Sequence, residues 1–103
     1  MIPKIITKEN CKKQLPVEII TIFTEKGTTR LYTDLEPDYE NNDWTGSYSL
    51  NDIVDIAIKR GIYEKGYGTI LVIAESYLVG NIYRYNNYSK EEWYEVGEMG
   101  GFA

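Results

Sequence analysis

At 103 residues, 43% hydrophobic and 26% charged, the chain holds enough apolar material for one core and too few residues for two, and its balance is that of a folded domain. A formal charge of −5 opposes phosphate backbones and anionic lipid heads, so direct nucleic-acid and membrane-surface binding are disfavoured. The absence of histidine and the presence of one cysteine exclude Ser-His and Cys-His nucleophile pairs, most histidine-based acid–base chemistry near neutral pH, and an internal disulfide.

The first sixteen residues carry no clean period; Lys4–Thr7 has the makings of a short strand, Cys11-Lys12-Lys13 reads as surface, and Pro16 closes the segment. Val17–Thr24 and Thr28–Thr33 are rich in β-branched residues, and Glu25-Lys26-Gly27 between them supplies a hairpin loop with a glycine free to take positive φ. Residues 34–48 then lose all periodicity: Asp34, Glu36, Asp38, Glu40 and Asp43 alternate with Pro37, Tyr39, Asn41, Asn42, Trp44 and Gly46. That pattern predicts a long exposed loop, a kind of segment that is usually functional or mobile.

Leu50, Ile53, Val54, Ala57 and Ile58 fall at i, i+3, i+4, i+7 and i+8, one face of a helix. Ser49 is placed to cap it, Asp52 and Asp55 lie toward the positive end of its dipole, Lys59 and Arg60 toward the negative end, and Gly61 ends it. Three more strands are predicted at Thr69–Glu75, Asn81–Tyr85 and Glu92–Gly97, joined by short returns at Gly80 and Asn86-Asn87 as an antiparallel meander. Ile70–Ala74 is apolar on both faces, the mark of a central strand, while Tyr83 and Tyr85 alternate with Ile82 and Arg84. The expected fold is α+β, a single domain over residues 1–103 in the order ββαβββ: an antiparallel sheet of about five strands with one helix packed on one face, in two layers.

Candidate chemistry is scarce. Cys11 beside Lys12 and Lys13 has cations that favour a thiolate, but no resolving cysteine or base. Asp34, Glu36, Asp38 and Glu40 alternate as the early ligands of a calcium loop do, yet the sixth position is Tyr39 and not glycine, and the twelfth is Thr45 and not glutamate. Gly61, Gly66 and Gly68 follow the helix and lead into a strand, the wrong polarity for a phosphate cradle. No metal, cofactor or catalytic residue is assigned, and the chain reads as non-enzymatic. No arginine-rich or long apolar leader precedes the first strand and no apolar run nears the ~18 residues of a spanning helix, so a cytoplasmic protein is expected.

Two features point to binding. Negative charge gathers at residues 34–43 and again at Glu91, Glu92, Glu95 and Glu98, a spacing able to imitate phosphates before a basic groove or merely to solubilise. Ten tyrosines against two phenylalanines supply rings that are apolar in body and polar at the tip, suited to core and interface alike. Asp34, Glu36, Asp38, Tyr39, Glu40, Asp43 and Trp44 of the loop, with Tyr83, Tyr85 and Trp93 of an aromatic sheet face, are the expected contacts to a protein partner, either another protein or a second copy in a homodimer. The alternatives are a DNA-mimic inhibitor of a nucleic-acid-binding defence enzyme, and a small enzyme or ligand-binding domain built on carboxylates and tyrosines.

The C-terminal third, from Ile70-Leu71-Val72-Ile73-Ala74-Glu75 through Gly80-Asn81-Ile82-Tyr83-Arg84-Tyr85 to Trp93-Tyr94-Glu95-Val96-Gly97 and Gly101-Phe102-Ala103, resembles small uncharacterised proteins encoded in phages, prophages and mobile elements of Firmicutes bacteria. The resemblance implies no activity and no site residue; it implies a setting in which small acidic proteins bind host proteins.

Overall fold

A computed structural model describes residues 4–15, 17–32, 48–64, 68–76, 79–86 and 92–100, with the backbone alone at Val79 and Asn86. The elements are β1 (Lys4–Ile6), a 3₁₀ turn (Asn10–Lys12), β2 (Ile19–Thr24), β3 (Gly27–Tyr32), α1 (Leu50–Lys59), β4 (Thr69–Glu75), β5 (Val79–Asn86) and β6 (Glu92–Gly100). The strands form one antiparallel sheet in the order β1-β6-β5-β4-β2-β3, with α1 packed on one face. This is the two-layer α+β fold expected, with one strand more. The extra strand is β1, whose three residues pair with β6 through Lys4↔Glu95, Ile5↔Tyr94 and Ile6↔Trp93. Three residues carry too little alternation to read alone; the edge of β6 orders them.

The hairpin closes differently from expectation. Thr24 pairs with Gly27 around the two residues Glu25 and Lys26, and the Thr24 hydroxyl accepts from the backbone N–H groups of Lys26 and Gly27, each at 3.2 Å. Gly27 does not take positive φ. A Cβ there would lie 3.3 Å from Ile62 Cγ2, so the absent side chain serves close packing against the segment after the helix. Strands β3 and β4 both run antiparallel to β2 and so parallel to each other. A parallel relation needs a crossover, and α1 lies on the connection that makes it.

Ser49 caps α1: its side chain accepts from the Asp52 N–H at 3.3 Å, while Asp52 Oδ2 accepts from the Ser49 N–H at 2.8 Å. The two hydrogen bonds form a capping box with aspartate in the usual glutamate position. At the other end Gly61 has φ of 75°, the left-handed conformation that stops a helix cheaply only in glycine. Of the five apolar positions on the helix stripe, Leu50, Ile53 and Ala57 are buried, Val54 is partly buried, and Ile58 remains 41% exposed.

Register places the core on the helix side of the sheet. Trp93 pairs with Tyr85, Tyr85 with Ile70, Tyr83 with Val72, Val72 with Ile22, and Ile20 with Ala74 and Leu31; all of these are buried. Each fully buried Ile, Leu or Val contributes roughly 1.5–3 kcal/mol relative to exposure. Near the far end of β6 the register shifts: Ile82 faces Gly97 while Tyr83 faces Glu95, which leaves Val96 as a bulge.

Candidate functional site

Strand alternation determines where the expected contacts stand. Tyr83 (9% exposed), Tyr85 (5%) and Trp93 (2%) lie on the face that α1 covers, which corrects their assignment to a partner surface. Tyr85 stacks between Tyr63, edge-on at 6.3 Å, and Trp93 at 5.1 Å between centroids. A domain with one helix lacks side chains enough to cover a six-stranded sheet, and these rings fill the remainder. Tyr83 accepts from Asn81 Nδ2 at 3.3 Å, and burial pushes its phenol above the ordinary range, with Glu95 adding to the rise. The other seven expected contacts, Asp34, Glu36, Asp38, Tyr39, Glu40, Asp43 and Trp44, lie outside the described residues.

One residue along each strand, the opposite face presents a different row. Ile5, Tyr94, Arg84, Leu71, Phe23 and Thr28 are successive partners across all six strands. A parallel row carries Ile82, Ile73, Thr21 and Arg30, and beyond it Met99 lies over Gly80, whose neighbour is Glu75. Among the described residues no helix or strand lies over this face. Ile5 (55% exposed), Leu71 (36%) and Met99 (41%) are well exposed, and Phe23, Ile73, Ile82 and Tyr94 are half-buried. The Arg84 guanidinium stands 5.9 Å from the Tyr94 ring centre, and Tyr94 donates to Glu92 Oε2 at 2.8 Å. That carboxylate partner holds the Tyr94 phenol up, partial burial and the Glu92 charge add to the rise, and Arg84 offsets part of it.

A second feature lies on the helix side. There a cleft of about 590 Å³ opens between α1, the β1 and 3₁₀ segment, and the ends of β5 and β6. The strands contribute Tyr85 and Trp93, the helix contributes Val54 and Ile58, and the N-terminal segment contributes Ile6 and Cys11. The uncovered part of the helix stripe therefore forms one wall. Exposed Lys8 and Lys12 border the cleft from the 3₁₀ side, and Asn51 and Asp55 from the helix. Cys11 is buried, its thiol directed at the Ile6 carbonyl at 3.8 Å, and burial pushes the thiol up. The adjacent lysines do not make it a thiolate; the side chain acts as part of the wall.

The Trp93 indole N–H is buried and has no acceptor among the described residues. No group of three or more metal-ligating side chains occurs among the described residues, and no helix of the described chain is long and apolar enough to cross a membrane.

The sequence gives little notice of the cleft because its lining comes from four separated segments with no shared motif. The available signal is the helix stripe, whose five positions exceed what contact with the sheet uses. Comparison with protein-family models, curated proteins and solved structures returned no match.

Proposed function

We propose that the chain is a non-enzymatic protein-binding module that docks its partner on the face of the sheet opposite α1. The observation that supports this reading is the apolar band running from exposed Ile5 and Leu71 through half-buried Phe23, Ile73 and Ile82 across a sheet otherwise packed to native burial. Contiguous apolar surface of this kind marks interaction sites in soluble domains. The same face carries Arg30 and Arg84 together with Glu75, so charges of both signs flank the band. A second copy related by a two-fold axis meets that pattern in its simplest form. A host protein is the partner class suggested by the resemblance to phage and mobile-element proteins, and the acidic connection from Asp34 to Trp44 is proposed to steer such a partner by charge.

The test combines sedimentation equilibrium with affinity capture, using the wild-type chain and a Leu71→Asp variant. Self-association, or capture of a defined protein, that Leu71→Asp abolishes is the expected result. A wild-type chain that stays monomeric and whose captured partners are unaffected by Leu71→Asp overturns the reading. Strong weakening of capture by salt, with no response to Leu71→Asp, favours the DNA-mimic alternative instead.

A further inference from the structure

We infer that the free edge of the sheet at β3 takes an extended segment of another protein as an additional strand, and that this segment carries two adjacent acidic residues. The site is separate from the open face of the sheet. Free edges are ordinarily kept short or interrupted, because their unpaired N–H and C=O groups invite pairing. At one side β1 ends the sheet with three residues. At the other β3 ends it with six, in unbroken register with β2 and without proline or bulge. Pairing of Thr24 with Gly27 around a two-residue loop makes Gly27, Thr29 and Leu31 the residues bonded to β2. The peptide groups of Thr28, Arg30 and Tyr32 therefore point outward, and all three residues are exposed. Among the described residues the one group that bonds to them is Arg60 Nη1, which donates to the Arg30 carbonyl at 3.5 Å.

Charge selects the occupant. Arg60 also donates to the Thr29 hydroxyl, and Thr29 lies on the face toward α1 whereas Arg30 lies on the open face. One cation thus belongs to each face of the same edge. Neither has an ion-pair partner among the described residues. The neighbouring charges are otherwise engaged: Lys26 pairs with Glu64 at 3.0 Å, and Glu25 packs its carboxylate against Gly68. A second copy of β3 would bring Arg30 and Arg60 of both chains together with no carboxylate between them, so self-pairing is opposed. Successive side chains of an added strand point to opposite faces. Two adjacent acidic residues seated opposite Thr29 and Arg30 therefore meet Arg60 on one face and Arg30 on the other.

The probe is the peptide acetyl-Thr-Val-Glu-Glu-Val-Thr-amide, titrated into the ¹⁵N-labelled full chain. Saturable binding is expected, with downfield shifts and slowed solvent exchange at the amides of Thr28, Arg30 and Tyr32 and little change at Gly27, Thr29 and Leu31. Glutamine or lysine in place of the glutamates weakens it, as does moving the glutamates two positions apart, which puts both on one face. Exchanging both Arg30 and Arg60 for glutamate costs the peptide about tenfold in affinity and makes the lysine version the tighter binder. Thr28→Pro removes an outward N–H and no bond to β2, so it abolishes binding with the fold kept; N-methylation of the peptide backbone does the same with the wild-type chain. Equal binding of the glutamate, glutamine and lysine peptides, binding indifferent to N-methylation, shifts confined to the Leu71 face, concentration-dependent self-pairing of β3 without peptide, or no saturable binding would each overturn the assignment.

Discussion

Leu71 and Val72 are neighbours in β4, yet Val72 is wholly buried and Leu71 is 36% exposed. The same contrast runs across the sheet: Tyr85 against Arg84, Trp93 against Tyr94, Ile22 against Phe23. Both rows are rich in large apolar or aromatic side chains, so residue type does not distinguish them. What distinguishes them is the position of one helix. The side that α1 covers is a core; the other is a surface of nearly the same chemistry that lacks a covering element among the described residues.

The sharpest way to break this comparison is to place the same charge on adjacent residues. Val72→Asp, like Ile53→Asp in the helix, buries an unpaired carboxylate at a position with no exposure; we expect a loss of about 4 kcal/mol or more and no cooperative melting transition. Removing the device that orders the covering helix should do less. Ser49→Ala eliminates one half of the capping box and is expected to cost about 1 kcal/mol by urea denaturation.

Alkali should test the covered side through its titrating groups. The Cys11 thiol and the Tyr83 phenol are both raised in the folded chain above their ordinary values of 9.0 and 10.0, in each case chiefly by burial. The folded state thus holds protons that the unfolded chain releases. Stability is complete below pH 9.0 and declines as pH rises from there through the higher folded values. Denaturation midpoints measured from neutral to alkaline pH should fall in that window, and Cys11→Ala should remove the earlier part of the decline.

The smallest effect on folding belongs to the open side. Leu71→Asp should change stability by less than about 1 kcal/mol, because the new carboxylate stays in water. Its effect on partner binding should be large. If Leu71→Asp instead unfolds the chain as Val72→Asp does, the two faces are not different in kind.

The fold was largely legible because its signals are local. The helix shows a full stripe, a capping serine and a terminal glycine, and the strands β2 to β6 show β-branched and aromatic runs between turn residues. The side to which the tyrosines turn was not legible. Period-two alternation sorts Tyr83 and Tyr85 from Ile82 and Arg84 but does not say which set meets the helix. That choice depends on long-range register, and in β4 both sets are aliphatic. The cleft escaped notice for a related reason: Lys8, Lys12, Ile58 and Trp93 belong to segments far apart in the chain, and their proximity is a product of sheet order. The outward turn of Ile58 shows how a continuous apolar stripe on a helix overstates the area that its own sheet receives.

The bulge at Val96 has a bearing on how this chain tolerates change. Before that residue the odd-numbered positions of the last strand, Trp93 and Glu95, look toward the helix; after it, Gly97 and Met99 look away. One supernumerary residue thus reverses the parity of the strand. Deleting Val96 itself would restore regular alternation and keep both the seating of Trp93 and the fit of Met99 above Gly80, whereas one further inserted residue would set the two at odds.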